Sequence, residues 1–306
     1  MPKKRFLVVS DSYPPFINSA SVLVEEFSMN LLRKDYDVTV LTTKLEQKNA
    51  SDFRDPDIEN FHVKRVKTYF QKSNIYVLRG IFSIFASVNL IIGVLFDKKY
   101  DYVFIYSPPL LYGFVGILLK FFKGSKIALN VQDLFPQNAI DLGILKNKYA
   151  IKFFKLVERF FYDTFDLVTF HSGGNLKQAQ DSHGDKKRNK YVMHNWINFN
   201  EEIKNNGKTS QYVIGKSTIV YAGVVGPSQI DGLISFLVSF SELDSQKFHL
   251  LIHGEGTALD RLKKKVEDLS LHNVEIKDFI PEAEYMDLLK KVDIGLVALS
   301  KNVKTP

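Results

Sequence analysis

The sequence predicts an α/β protein of two Rossmann-like domains, each built on a parallel sheet. Three observations predict it. Runs of β-branched and aromatic residues alternate with helix-spaced segments along nearly the whole chain. A polar stretch from His194 to Lys216 divides that alternation into two series. The chain has 306 residues, enough for two domains of about 100–200 residues each.

The first series opens with the apolar strand Arg5 to Ser10, which ends at Asp11-Ser12-Tyr13-Pro14-Pro15, where the prolines stop regular structure. Ser21 to Lys34 sets Val22, Val24, Phe27, Leu31 and Leu32 at helical spacing, and Asp37 to Thr42 is the next strand. A strand, helix and strand in so short a span imply parallel pairing through a right-handed crossover. Gln47 to Asn60 is polar and reads as a loop; His62 to Lys67 reads as a strand. Asn74 to Phe96 is the most apolar long stretch. As a helix it would be apolar nearly all round, with Lys72, Arg79, Lys98 and Lys99 as basic neighbours. Two readings stay open for it: a helix lying in a membrane interface, or a core helix of an α/β sandwich. Strands follow at Tyr102 to Tyr106, Lys126 to Val131, Leu167 to Phe170 and Lys190 to Met193. Helices fall at Leu110 to Phe122, Ala150 to Thr164 and after His171-Ser172-Gly173-Gly174. Each strand ends in polar residues, Pro or Gly, and that end of an open α/β sheet is where ligands bind.

The second series begins at Ser217 to Ala222, a strand that runs into Gly223 and Gly226 before a helix near 229–242. Glycines let a backbone approach a phosphate, and a helix N-terminus attracts anions. The spacing is not G-x-G-x-x-G, so this is not the dinucleotide fingerprint, and a tight turn would use the same residues. The strand Phe248 to His253 ends in Gly254-Glu255-Gly256 and a helix at 258–269. A short strand at 273–276, a helix at 282–291 and a strand from Asp293 to Leu299 complete the series. The boundaries that follow are an N-terminal domain at 1–196, a linker at 197–216 and a C-terminal domain at 217–306. With four strands against about seven, and a last strand followed only by a few residues, the second domain reads as incomplete.

Composition narrows the function. Hydrophobic residues make up 45% and charged residues 25% of the chain, as in globular proteins generally. Cysteine is absent, which excludes disulfides and thiolate metal sites. The seven histidines show no metal-ligand pattern, and the P-loop, H-E-x-x-H and G-x-S-x-G signatures do not occur. No secretory h-region follows the basic start, and no apolar run has the length of a spanning helix. Of the net charge of +7, residues 1–196 carry +9, from 28 basic against 19 acidic residues, and residues 197–306 carry −2. A basic first half points to an anionic partner, such as a membrane surface, a phospholipid-like substrate or nucleic acid; a merely soluble basic surface gives the same count.

Several segments, in order and spacing, resemble the bacterial GT-B glycosyltransferases of family four, in the branch of L-fucosamine and N-acetylhexosamine transferases that build O-antigen and capsule. They are V-S-D-S-Y-P-P at 9–15, Ser107-Pro108-Pro109, D-L-F-P-Q-N at 133–138 and H-N-W-I-N at 194–198. The second half adds Y-A-G-V-V-G-P-S-Q at 221–229, H-G-E-G at 253–256, H-N-V-E-I-K-D-F-I-P at 272–281 and V-D-I-G-L-V-A-L-S at 292–300. Three departures stand out. The Gly-Gly pair expected after the proline loop is missing, no Arg or Lys follows Gly226 at the diphosphate position, and a donor-gripping glutamate pair would lie past residue 306.

The resemblance implies retaining transfer of a sugar from a nucleotide-sugar, expected to be a UDP-sugar, to a lipid-linked or polysaccharide acceptor. It implies no metal and no separate cofactor, a cytoplasmic protein at the inner face of an anionic membrane, and no nucleic-acid partner. Asp133 is the candidate catalytic residue: a carboxylate after a strand could take or orient the acceptor hydroxyl's proton, and a turn-capping role is the alternative. Donor-binding candidates are Gly223, Gly226, Gln229, Gly254, Glu255, Gly256, Ser300 and Lys301. Acceptor-binding candidates from the matched first-domain loops are Pro15, Asn18 and Ser107. Two other classes remain: a truncated, catalytically inactive transferase that acts as a binding protein, and an NAD-dependent oxidoreductase, against which the missing G-x-G-x-x-G argues.

Overall fold

A computed structural model describes residues 2–16, 18–44, 55–67, 76–184, 189–196, 212–280 and 282–300. The chain divides into two compact units, residues 1–198 and 199–304. The first is built on seven strands: β1 (Arg5–Val9), β2 (Asp37–Lys44), β3 (Phe61–Lys67), β4 (Tyr102–Ser107), β5 (Lys126–Val131), β6 (Leu167–Phe170) and β7 (Lys190–Val192). Its helices are α1 (Ser19–Arg33), α2 (Tyr76–Leu95), α3 (Gly113–Lys123), α4 (Gln137–Asp141), α5 (Lys148–Thr164) and α6 (Gly173–His183). The strand order is β3-β2-β1-β4-β5-β6-β7, and every pair is parallel.

Because helices cover both faces, the central strands are apolar in both directions: Leu7, Val8 and Val9 are all fully buried. One face packs under α2, α3, α5 and α6, with Leu90, Val115, Leu119, Phe161 and Phe165 in its core. The other packs under α1, where Phe27 stacks on Phe104 at 4.2 Å. Trp196 closes that layer: its indole N–H donates to Leu23 O at 2.8 Å and its ring lies 5.4 Å from Phe27.

The second unit has four strands, β8 (Ser217–Ala222), β9 (Phe248–His253), β10 (Val274–Lys277) and β11 (Ile294–Gly295). They lie in the order β10-β9-β8-β11, again all parallel. Helices α7 (Ile230–Phe240), α8 (Leu259–Asp268) and α9 (Glu282–Leu289) complete it. Each sheet reverses its strand order once, between β1 and β4 and between β8 and β11. Such switch points leave a crevice at the strand C-termini.

The α/β class with parallel sheets is as the sequence predicts. Some elements differ. Helix α2 packs Ala86, Leu90 and Val94 into the core while Phe85, Val88 and Ile92 stay exposed, so it is a core helix with an apolar outer side. The last strand is two residues long, not seven. It sets Ile294 and Gly295 opposite β8, with the flanking Asp293 and Leu296 donating their N–H groups to Thr218 O at 2.9 Å and Val220 O at 2.7 Å, and Val297 beyond them is 88% exposed. Helix α4 follows Pro136 where the sequence reads as loop. Of the segment read as a linker, 197–211 lie outside the described residues. Tyr212 belongs to the second unit, donating its backbone N–H to Lys291 O at 3.1 Å and stacking on His249.

Candidate functional site

The switch point of the first unit carries a cavity of about 390 Å³, lined among others by Asp11, Ser12, Tyr106, Gln132, Asp133 and His171. The fold brings them together from one strand and three loops. Asp11 and Ser12 follow β1, Tyr106 is the next-to-last residue of β4, Gln132 and Asp133 follow β5, and His171 follows β6. The β1 loop is pinned from within. Ser10 Oγ donates to Ser12 O at 2.9 Å and accepts from Ser12 N at 3.1 Å, and Thr43 Oγ1 donates to Asp11 O at 3.0 Å. A polar ladder crosses the sheet beneath: Gln132 Nε2 donates to Asn130 Oδ1 at 2.6 Å, and buried Asn130 donates to Thr169 Oγ1 at 2.9 Å.

Both carboxylates in the cavity resist ionisation. Burial pushes Asp11 up to about 6, against hydrogen bonds from Ser12 and its own backbone that pull it down. Asp133 is also raised by burial, with His171 pulling it down. Its carboxylate is open to solvent along the cavity yet walled by protein on its other sides, which weakens its hydration. The charges of both reach Tyr106, whose phenol is raised first by burial and then by Asp133 and Asp11. Raised carboxyl groups in a cleft are the usual mark of a site that handles protons. Asp133 Oδ1 accepts from Asn138 Nδ2 at 3.3 Å, a side-chain partner rather than the backbone N–H of a turn cap.

His171 is held from two sides. Asn175, fully buried on α6, turns its amide nitrogen to His171 Nδ1 at 3.1 Å, and His194 Nδ1 donates to His171 O at 2.9 Å. With the amide donating, Nδ1 accepts and the proton of the neutral ring sits on Nε2. Sequence reading places His171 in a loop and gives it, Asp11, Tyr106 and Asn175 no role in the site. A signal for Asp11 exists, since it is the first polar side chain after a strand at a sheet's C-terminal edge.

The acceptor-side residues fall outside the cavity wall. Asn18 caps α1, with Oδ1 accepting from Ser21 N at 2.8 Å and Nδ2 donating to Ser12 Oγ at 3.3 Å. Ser107 is buried and gives its carbonyl to Gln132 N at 2.8 Å. Pro15 is half-buried, and Arg65 hydrogen-bonds the carbonyl before it. Their neighbours Ser12, Ser19 and Pro108 are the lining residues.

In the second unit the two glycine loops lie side by side. Gly223 N donates to His253 O at 3.0 Å, Val225 N to Glu255 O at 2.8 Å, and Ala258 N to Val225 O at 3.0 Å. Gly223 and Gly256 have φ of 154° and 144°, a region that favours glycine. A Cβ on Gly254 would sit 2.2 Å from Gly223 O, and one on Gly256 2.4 Å from Val225 O. Both glycines are therefore required by loop-on-loop packing, whatever binds there. Gly226 differs: a Cβ there meets only Gln229 Oε1 at 3.4 Å and Val224 Cγ1 at 3.7 Å.

Gln229 precedes α7 without capping it through its side chain. Glu255 is exposed beside these loops. Ser300 is buried and fully engaged: its hydroxyl donates to Pro227 O at 3.1 Å and accepts from Asp231 N at 3.3 Å, while its N–H donates to Ser228 O at 2.7 Å. It clamps the Gly226 loop instead of offering a free hydroxyl. Lys301 lies outside the described residues. Among the described residues no group of three His, Cys, Asp or Glu is placed to hold a metal, and no helix is long and apolar enough to cross a membrane.

No protein-family model matches the chain. Among curated proteins, it is 22% identical over 212 residues to the probable glycosyltransferase WbjE of Pseudomonas aeruginosa, a match covering 67% of this chain and 52% of that protein. The chain thus spans about half the length of this curated relative. Among solved structures, sucrose-phosphate synthase of Thermosynechococcus elongatus superposes with a TM-score of 0.69 at 12% identity, over 96% of this chain and 75% of that one. Anabaena HepE, solved with UDP and glucose, gives 0.63 at 12% identity, over 95% and 73%. Together they establish the GT-B fold.

Proposed function

We propose that the chain is a glycosyltransferase that moves a hexosyl or N-acetylhexosaminyl group from a UDP-sugar to a lipid-linked or polysaccharide acceptor in surface-polysaccharide synthesis, with retention at the anomeric carbon and without a metal. The observation that carries this reading is the pairing, in one chain, of two unlike switch-point crevices. One is lined by desolvated carboxylates and a positioned imidazole. The other is walled by close-packed glycine backbone at a helix N-terminus. The likeness to WbjE and to HepE, solved with UDP and glucose, supports the same assignment.

In this reading the first unit is the acceptor side. Asp133 accepts the hydrogen bond of the attacking hydroxyl, and His171, with its proton on Nε2, orients the acceptor from across the cavity. The second unit is the donor side, where backbone N–H groups near Gly223 and Gly226 face the diphosphate and stabilise its charge as the bond from sugar to phosphate breaks. The new bond joins the acceptor oxygen to the anomeric carbon. The hydroxyl proton leaves with the departing phosphate or through Asp133. An anionic membrane at the inner cell face supplies the lipid-linked acceptor.

Titrating UDP calorimetrically tests the donor side. Gly226→Ala fits sterically, so it should leave the melting temperature unchanged while holding the phosphate off the backbone and weakening UDP by about tenfold. Unchanged affinity would move the donor elsewhere. If the wild-type chain binds no UDP, the inactive binding-protein reading takes over.

A further inference from the structure

The outer side of α5 carries two parallel stripes. Tyr149, Phe153, Leu156 and Phe160 recur at spacings of four, three and four residues, which places them on one helix face. They are 72%, 51%, 57% and 45% exposed. One position earlier, at the same spacings, run Lys148, Lys152, Lys155 and Arg159, all exposed. The inner side of the helix is filled by Val157, Phe161 and Tyr162, and the aromatic stripe touches it only at the edge, through Phe153 on Phe154 and Phe160 on Phe161. The acids of α5 do not neutralise the basic row. Glu158 is turned inward to His183 at 2.7 Å and Tyr162 at 2.9 Å, and Asp163 lies 3.6 Å from Arg159 alone of the four.

The apolar surface does not stop at α5. Helix α3 packs between α2 and α5 over the same face of the sheet. It ends in exposed Phe121 and Phe122, the latter 84% exposed, beside the apolar outer edge of α2. Eleven of the fourteen exposed large hydrophobic residues described in the first unit lie on or next to these three helices. A layer with so many exposed apolar side chains marks an interaction site.

We propose that this layer, led by α5, docks flat on an anionic lipid surface, the aromatic stripe entering the acyl boundary and the lysine row resting on the headgroups. This deepens the membrane partner of the function proposed above, and it places the contact mainly on α5, where the sequence points to the helix near 74–96. Charge selects the occupant. A second copy of the chain would meet this face isologously and bring two rows of four cations together. A lipid surface presents apolar depth and negative charge side by side, as a stripe of aromatics flanked by lysines requires.

Flotation of the full chain with phosphatidylglycerol vesicles and with phosphatidylcholine vesicles tests this. Wild type should float with the anionic vesicles, only weakly with the neutral ones, and be released by salt because exposed charges are screened over about 8 Å at physiological ionic strength. Lys152→Glu and Lys155→Glu should each lower partitioning about fivefold or more at low salt. Phe153→Ser with Phe160→Ser should lower it about tenfold at any salt, with melting and UDP affinity unchanged because both side chains are exposed. A wild-type chain that stays in solution with both vesicles overturns the proposal. So do variants that float as well as wild type, or a concentration-dependent dimer that the Phe153→Ser and Phe160→Ser changes dissolve. None of these readouts uses a sugar donor, so UDP binding without flotation defeats the docking surface alone, and flotation without UDP binding defeats the transferase reading alone.

Discussion

The two switch points share a topology and differ in what fills it. In the first unit the end of β4 and the loops after β1, β5 and β6 contribute side chains: Tyr106, Asp11, Asp133 and His171. In the second, the loops after β8 and β9 contribute almost only backbone, packed so tightly that a Cβ on Gly254 would fall 2.2 Å from a carbonyl oxygen. One crevice is chemically rich and leaves about 390 Å³ open; the other is chemically plain and closely built. A hydroxyl that must lose a proton needs tuned side chains. A diphosphate needs N–H groups and room for its oxygens, which side chains would obstruct. In the proposed reading the same β-α-β frame serves both, because its ligand end is made of loops that the sheet does not constrain.

The largest effect expected from this contrast is structural. Gly254→Ala should cost the second unit about 3 kcal/mol, because backbone and not a flexible side chain must give way. Its hydrogen-exchange protection should fall while that of the first unit holds. An unchanged second unit that has lost UDP affinity would show that the glycine serves the ligand and not the packing, and the contrast would narrow.

Next is Asp133→Asn, which removes the proposed proton acceptor while keeping the shape. It should lower kcat about 100- to 1,000-fold and leave UDP affinity alone. Equal losses in both would break the division between acceptor and donor crevices.

The smallest effect concerns Asp11. Its folded pKa of about 6 lies above the ordinary 3.8, so the folded state holds the proton more tightly than the unfolded one. The associated stability is fully present below about pH 4 and is lost as pH rises through about 6. Above that, the buried charge costs on the order of 2 kcal/mol. Asp11→Asn should therefore raise the melting temperature by a few degrees at pH 8 and change it little at pH 4. A melting point lowered at pH 8 would mean that the carboxylate is a structural partner and not a strained functional group.

Much of this was legible in the residues. The strands of both sheets read from their β-branched runs, and Asp133 from its place after one of them. Asp11 was not, because one carboxylate after a strand is common and only the assembled sheet shows it sharing a cavity with another. Asn175 was hidden further, since a polar residue in the first turn of a helix looks like ordinary surface until the neighbouring β6 loop brings His171 against it. For Gly254 and Gly256 the sequence suggests the approach of a ligand and does not show the opposing loop, which leaves no room for a Cβ at either. The outward stripes of α5 are plain in K-Y-A-I-K-F-F-K-L-V-E-R-F-F-Y once the inward side is known, and periodicity alone does not tell which apolar row faces the core.

The clamp at Ser300 bears on how the chain matures. The Gly226 loop takes its shape from a residue made more than seventy positions later, through hydrogen bonds to Pro227, Ser228 and Asp231. No residue lining the first unit's cavity lies beyond Asn195. During synthesis the residues of the first crevice therefore leave the ribosome before those that shape the Gly226 loop, and closing so long a loop comes late. A nascent chain halted before residue 300 would hold every residue that lines the first cavity and lack the one that clamps the Gly226 loop.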